Sequence, residues 1–247
     1  MAALYDTIGK GYADYRKPDP RIAAMIRASL GDAESVVNFG AGAGSYEIAG
    51  LHVAALEPSS EMIAQRPASL AKAVRASAED APFADKSFDA ATAFLTTHHW
   101  RDQEKGLSEM KRVARKRCVI FDGGLDALLG FWLLRDYFPD MLTIPAPVLS
   151  MDLVHRVFGA VRTLPVLVPF DCTDGFLCAY WRRPEAYLDP GARAAISFFH
   201  NARDVEMRVE KLRRDIEDGT WARRNAHLLN ETEHDYGYRL IIAELAD

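Results

Sequence analysis

Two groups of residues in this chain have the type and spacing to do chemistry. Gly40, Gly42 and Gly44 alternate with alanines at 41 and 43. Glycines so placed let a backbone turn sharply, with positive φ where needed, and approach a flat ligand closely. The apolar run 52–56 that follows ends in Glu57. A strand, a glycine turn and a second strand ending in an acid form a nucleoside-binding layout. The second group is His98 and His99, followed by Trp100, at the end of the apolar run 88–95. Imidazole is the side chain best matched to proton transfer near neutral pH. Of two adjacent strand-end residues one faces a pocket, and the spacing to Trp100 favours His99. The competing reading is a histidine hydrogen-bonded within a sheet-to-helix turn.

The elements that must position these residues follow from the pattern around them. Residues 35–39 read as a first strand ending near Asn38, and only seven residues separate Gly44 from His52. That leaves room for at most two helical turns, whereas a dinucleotide pyrophosphate sits on the N-terminus of a longer helix. Ser45 also stands where the GxGxxG spacing needs its third glycine. Both features argue against NAD.

Beyond Glu57, a serine caps a short helix carrying Met62 and Ile63, and 72–77 reads as a third strand. A loop at 78–83 leads to the strand 88–95, whose nearly continuous apolar character suits burial on both faces of a parallel sheet. Asp102 caps a helix bearing Leu107, Met110 and Val113, and 117–122 is a fifth strand. Alternating strands and helices predict an α/β, doubly wound parallel sheet with ligands at the carboxyl ends of its strands. Asn38, Glu57, Glu79, His98 and His99 all lie at such ends.

The flanking regions read less simply. The N-terminal stretch 4–18 carries Tyr5, Tyr12, Tyr15 and Arg16, and is a surface arm or a lid whose rings and Arg16 close over a ligand. Asp19-Pro20 starts a helix that Gly31 ends. Further on, 125–138 predicts a helix, 138–147 an irregular loop, and Ser150 the start of a helix through Phe158. Residues 161–170, interrupted by Pro165 and Pro169, suit an edge strand. From 174 to 228 the pattern is helical, with caps expected at Asp174, Asp189 and Asn201, before a last strand at 236–243. The aromatic residues there, among them Phe176, Trp181 and Phe199, read as core rather than as a substrate box.

Composition bounds the rest. At 247 residues, 49% hydrophobic and 26% charged, the chain is an ordinary globular protein, one domain with an insertion. A net charge of -5 argues against a nucleic-acid partner. Cys118, Cys172 and Cys178 form no CxxC pair, so neither a disulfide framework nor a metal site is expected. The first residues lack a basic-then-apolar signal, and the apolar stretch 125–134 is too short to span a bilayer. No membrane insertion and a cytoplasmic location are expected.

Taken in order, the glycine turn 40–44, Leu56-Glu57-Pro58-Ser59 with Met62, the segment 78–83 with Phe88-Asp89, and the strand end 93–100 resemble the class I S-adenosylmethionine-dependent methyltransferases. That group includes the ubiquinone and menaquinone C-methyltransferases and many small-molecule enzymes. The resemblance covers about residues 35–120. It implies a Rossmann-like, seven-stranded sheet with its last strand antiparallel. It also implies a helical substrate cap at 171–232 inserted before the last strand, so that the domain reading is a core over 1–170, with the N-terminal stretch 1–18 as its lid, the cap, and a return to the core at 233–247.

Carried over by position, the resemblance implies that Gly40, Ala41, Gly42 and Gly44 pack on the methionine and ribose of S-adenosyl-L-methionine. Glu57, followed by Pro58, would take the ribose hydroxyls; Met62 would pack on adenine, and Ala78 with Glu79 would read its edge. Backbone carbonyls at Gly40 and Leu95 would hold the ammonium group, and Tyr12 and Arg16 of the lid would close over the cofactor. The expected product is S-adenosyl-L-homocysteine and the expected acceptor a small organic molecule, with His99 or His98 as base. The family commonly has an acid where this chain has Asn38. The alternatives are an RNA or protein methyltransferase, disfavoured by charge and by the absence of an Asn-Pro-Pro-Tyr-like signature, and a non-catalytic nucleotide-binding protein, hinted at only by Asn38.

Overall fold

The apolar residues before the glycine turn form β1 (Ser35–Phe39), the centre of the sheet. Its β-branched and aromatic side chains fit a strand covered on both faces, and Val36 to Phe39 are all buried. The computed structural model describes residues 5–9, 11–124, 129–143 and 148–245. β1 is flanked in parallel by β2 (His52–Leu56) and β4 (Phe88–Phe94), with Phe39 opposite Leu56 on one side and Ala93 on the other. β3 (Ala73–Val74) pairs outside β2, and β5 (Ala114–Gly123) outside β4.

β9 (Tyr238–Glu244) runs antiparallel to β5, with Ile120 opposite Ile241, and β6 (Arg162–Pro165) pairs antiparallel on its far side. The seven strands therefore follow the order β3-β2-β1-β4-β5-β9-β6. This is the Rossmann-like sheet with its last strand reversed that the resemblance implied. β6 ends at Pro165 on the sheet edge, where a missing N–H costs no ladder bond. Pro169 does not continue that strand. It belongs to β7 (Val168–Pro169), which pairs with β8 (Glu233–His234) in a separate ribbon.

Helix starts follow their capping residues. Asp19 accepts from the Arg21 amide at the head of the helix Pro20–Ser29. Ser59 accepts from the Met62 amide before Ser60–Ala64, and Asp102 from the Lys105 amide before Gln103–Val113. Asp189 caps Pro190–Ala194 as expected.

Three expectations need correction. Asp174 caps nothing, because no helix starts before the 3₁₀ turn Pro184–Leu188, and its buried carboxylate pairs with Arg16 instead. Asn201 ends the helix Phe198–Asn201 instead of starting one. Residues 45–51 contain no helix at all, and Tyr46 takes a left-handed φ of 62°. The helix expected over 125–138 is present as Trp132–Tyr137, while 125–128 lie outside the described residues, as do 144–147 of the expected loop.

The two faces of the sheet carry separate cores. Ile22, Ile26 and Leu30 pack with Phe121, Leu240 and the aromatic residues Trp132, Trp181 and Tyr187. On the other face Phe39, Ile120 and Ile241 meet Leu107, Met110, Val113, Val154 and Phe158. Phe176, Tyr180, Trp181, Tyr187 and Phe199 are buried structural residues, as their helical spacing suggested.

Candidate active site

Gly40 and Gly42, with φ of 64° and 52°, occupy the left-handed region that side chains rarely adopt. Space enforces the choice at Gly40, where a Cβ would overlap the Thr96 hydroxyl at the end of β4. At Gly42 a Cβ would come within 3.3 Å of the Met62 methyl. The turn so formed presents the Gly42 amide to Glu57 Oε2 at 2.8 Å, while Glu57 Oε1 accepts from the Ser59 amide at 2.8 Å. Burial pushes the Glu57 carboxyl above its usual value, and these two amides and the Arg66 charge oppose the shift. Each Glu57 oxygen retains a lone pair for a further donor.

Glu57 opens on a cavity of about 770 Å³, a size typical of small-molecule sites. Gly40, Gly42, Pro58 and Met62 line one part of it, and Ala78, Glu79, Leu95, Tyr12 and His99 line others. Ala41, Gly44, Arg16 and His98 are not among its lining residues. Ala41 and Gly44 instead shape the turn, through Ala41 N–H to Leu56 C=O at 2.9 Å and Gly44 N–H to Ala41 C=O at 2.9 Å. Glu79 Oε1 accepts from the amides of Arg101 at 2.7 Å and Asp102 at 3.3 Å. Burial raises its pKa, but backbone amides and the Ser77 hydroxyl outweigh that and hold it below the usual value.

The cavity also takes in Tyr5, which sequence reasoning offered only as part of an arm or lid, and Ser77, Phe94, Thr96, Trp100 and Arg101, to which it gave no binding role. Strand-end position was a usable signal for Phe94 and Thr96, and the tyrosine-rich arm for Tyr5. Ser77 carried none.

At the end of β4, Leu95 turns the chain with φ of 50°, and Thr97–His99 form a single 3₁₀ turn. That turn sends His99 to the cavity. Its Nε2 lies 3.1 Å from the Tyr5 hydroxyl, with the two rings edge to face. His98 packs on the far side of His99, ring centroids 3.9 Å apart, near the buried Asp122, which accepts from the Thr97 hydroxyl. Burial, with added repulsion from His98 and Arg16, pushes His99 down to about 2. Burial lowers His98 also, against the pull of Asp122, and raises the Asp122 carboxyl. His99 is thus a neutral hydrogen-bonding group across the physiological range.

The N-terminal segment forms one wall of this cavity through Tyr5 and Tyr12. It is fastened at several points along its length. Asp6 accepts from the Ser59 hydroxyl at 2.8 Å, and the Gln65 amide donates to the Gly9 carbonyl at 2.7 Å. Arg16 Nε donates to Asp174 at 2.6 Å and its Nη1 to the Tyr12 hydroxyl at 2.6 Å. Tyr15 donates to Asp189 at 3.0 Å. Asn38 takes no part: its side-chain oxygen accepts from Thr92 at 3.3 Å beneath the turn, away from the cavity lining.

Comparison with known proteins identifies the family. A sequence model described as a methyltransferase domain matches residues 37–121. A solved structure from Anabaena variabilis ATCC 29413, described as a candidate methyltransferase of an antibiotic biosynthesis pathway, is 34% identical, covers 94% of this chain and 99% of its own, and superposes with a TM-score of 0.84. The chain belongs to the S-adenosylmethionine-dependent methyltransferases.

Two more distant structures share the methyltransferase fold. The YcgJ protein of Bacillus subtilis is 18% identical over 92% of this chain and 98% of its own, with a TM-score of 0.55. Geranyl diphosphate C-methyltransferase of Streptomyces coelicolor A3(2), solved with Mg²⁺, geranyl diphosphate and S-adenosyl-L-homocysteine, is 18% identical over 92% of this chain and 79% of its own, with a TM-score of 0.52. No curated protein matches the chain. As a member of this family, the chain takes its methyl group from S-adenosyl-L-methionine. Among its described residues no helix is long and apolar enough to cross a membrane, and no group of three or more His, Cys, Asp or Glu could hold a metal ion.

Proposed function

We propose that this methyltransferase methylates a small organic acceptor inside the cavity walled by Tyr5, Tyr12 and His99. One observation carries the reading. The N-terminal segment that supplies Tyr5 and Tyr12 is tied down on both sides, to Ser59 and Gln65 of the sheet-end elements and to Asp174 and Asp189 of the C-terminal insertion. An acceptor must fit beneath that segment, which suits a small molecule and not a folded macromolecule. Charge agrees: the ionisable lining beside these three residues is Glu57, Glu79 and Arg101, and Arg16 behind Tyr12 is already neutralised by Asp174. A polyphosphate chain would find little to bind there.

The chain's own residues fit the cofactor. Gly40 and Gly42 line the cavity in a turn whose close approach to Thr96 admits no Cβ at Gly40, and Glu57 offers two carboxyl oxygens with free lone pairs beside it. In this reading Glu57 and Pro58 take the ribose, Met62, Ala78 and Glu79 take the adenine, and the Gly40 and Leu95 carbonyls face the ammonium group. Ala41 and Gly44 support the turn. Tyr12 closes the wall, and Arg16 holds Tyr12 in place. S-adenosyl-L-methionine, when bound, supplies an electrophilic methyl group on a sulfonium.

His99 then accepts a hydrogen bond from the O–H or N–H of the acceptor and orients its lone pair. Its depressed pKa makes it a poor store for the released proton, which passes to water. His98 supports His99 by packing against it at a tilt. Residues 1–18 act as the lid, 171–232 as the substrate cap and 233–247 as the return to the core. The three buried free thiols accord with a reducing cytoplasm.

The test is methyl transfer from S-adenosyl-L-methionine labelled in the methyl group. The purified protein is offered a panel of small phenols, alcohols, amines and carbon acids alongside bulk RNA and unfolded protein. Label in the small-molecule fraction is expected. Label confined to RNA or protein would sink the proposal.

A further inference from the structure

The glycine turn lacks the support such turns ordinarily have. Gly40, Gly42, Gly44 and Tyr46 all have positive φ, of 64°, 52°, 101° and 62°, and residues 45–51 behind them contain no helix. In a longer βαβ unit the helix following the turn fixes its backbone. Here a buried guanidinium occupies that place. Arg66, just past the helix Ser60–Ala64, reaches back under the turn with its side chain only 4% exposed.

Arg66 Nη1 donates to the carbonyls of Gly42 at 3.2 Å and Ala41 at 3.4 Å. Its Nη2 donates to the Ala71 carbonyl at 2.9 Å and pairs with Glu47, whose side chain is only 3% exposed. Gly42 is consequently held at both of its polar groups, the carbonyl by Arg66 and the N–H by Glu57 at 2.8 Å. A planar five-donor fork can span two turn carbonyls and a carboxylate together, which a lysine ammonium cannot.

We propose that Arg66, charge-balanced by Glu47, is a positioning residue for the cofactor, locking the glycine turn so that the Gly42 amide meets Glu57. The proposal rests on the reading that the Glu57 cavity holds S-adenosyl-L-methionine. Arg66 is not among the residues lining that cavity and acts through Gly42. Its charge has a second effect in the same direction, since it opposes the burial that raises the Glu57 carboxyl.

Two variants separate positioning from simple stabilisation. Arg66→Lys keeps the charge opposite Glu47 but cannot bridge the carbonyls. Arg66→Met combined with Glu47→Met removes both buried charges together, a replacement that leaves no orphan ion and is often neutral for stability. Calorimetry with S-adenosyl-L-homocysteine is expected to show affinity reduced by about tenfold or more in both, the scale of one or two lost charged hydrogen bonds. The thermal midpoint of the double variant should stay near that of the parent protein.

A purely structural role would instead lower the midpoint and leave the affinity of the folded protein unchanged. Parental affinity in both folded variants overturns the proposal. Glu57→Ala, measured beside them, distinguishes the reasons. If it loses affinity while the Arg66 variants do not, only the role of Arg66 is rejected. If none of the three loses affinity, the cavity is not the cofactor site and the positioning role falls with it.

Discussion

The hydroxyl of Tyr5 lies 3.1 Å from Nε2 of His99, joining residues 94 positions apart. Tyr5 comes from the N-terminal segment and His99 from the end of β4, so this hydrogen bond forms only when that segment is folded over the cavity. It sets the orientation of the imidazole without touching the Glu57 end of the site.

Tyr5→Phe should therefore lower turnover while leaving cofactor affinity in place. A neutral hydrogen bond contributes about 1 kcal/mol net, or roughly a fivefold change in rate. Steady-state kinetics with an active acceptor, paired with S-adenosyl-L-homocysteine calorimetry, checks the split. Equal losses in both would place Tyr5 on the cofactor instead.

Glu57→Gln should weaken cofactor binding more than it weakens folding. Gln keeps the shape and one acceptor oxygen, but it loses the charge and turns an N–H₂ group toward either Gly42 or Ser59, each of which now donates to a carboxylate oxygen. One lost charged hydrogen bond amounts to about 1.5–3 kcal/mol, on the order of tenfold to a hundredfold in affinity. Calorimetry at saturating protein stability measures it directly.

Acid stability should depend on the histidine pair. His98 and His99 both sit below the ordinary histidine value of 6.5 in the folded chain. Below that value the unfolded chain binds protons that the folded chain refuses, so stability falls with pH, for His99 down to about 2. The raised carboxyls of Glu57 and Asp122 act in the opposite sense at lower pH, because the folded chain takes up their protons first. His99→Asn should flatten the loss between about pH 7.5 and pH 5, as read from urea midpoints at both ends. A slope unchanged from the parent would remove His99 as its source.

Arg16 and Asp174 should behave as a buried structural pair. Their side chains are 8% and 0% exposed, and the bond joins the N-terminal segment to the insertion. Asp174→Asn leaves the guanidinium without its counter-charge and should cost about 3–5 kcal/mol. Chemical denaturation measures that cost, and S-adenosyl-L-homocysteine calorimetry on the folded fraction shows whether Arg16 also reaches the cofactor.

Much of this architecture was readable in advance because it depends on local chemistry. The glycines at 40 and 42 take positive φ, Ser59 and Asp102 cap the helices that follow them, and the apolar run 88–94 has the character of a strand buried on both faces, which it is. Asp174 shows where such reading stops. An aspartate before a helical stretch has the form of a cap, yet its carboxylate is taken by Arg16, 158 positions earlier. Residues 45–51 similarly had room for a helical turn but form none, and a distant arginine supports the glycine turn instead.

The sequence by itself determined the parallel strands and the glycine turn between the first two, because these follow from residue type and short-range spacing, while the reversed last strand was legible only through the family resemblance. Only the tertiary structure decided which histidine faces the cavity, that Asn38 does not, that Tyr5 meets His99, and that Arg66 braces the glycine turn. Those outcomes depend on contacts between chain segments far apart in order. Burial in a shared interior, with every buried charge needing a partner, selects such contacts, and no local pattern records them.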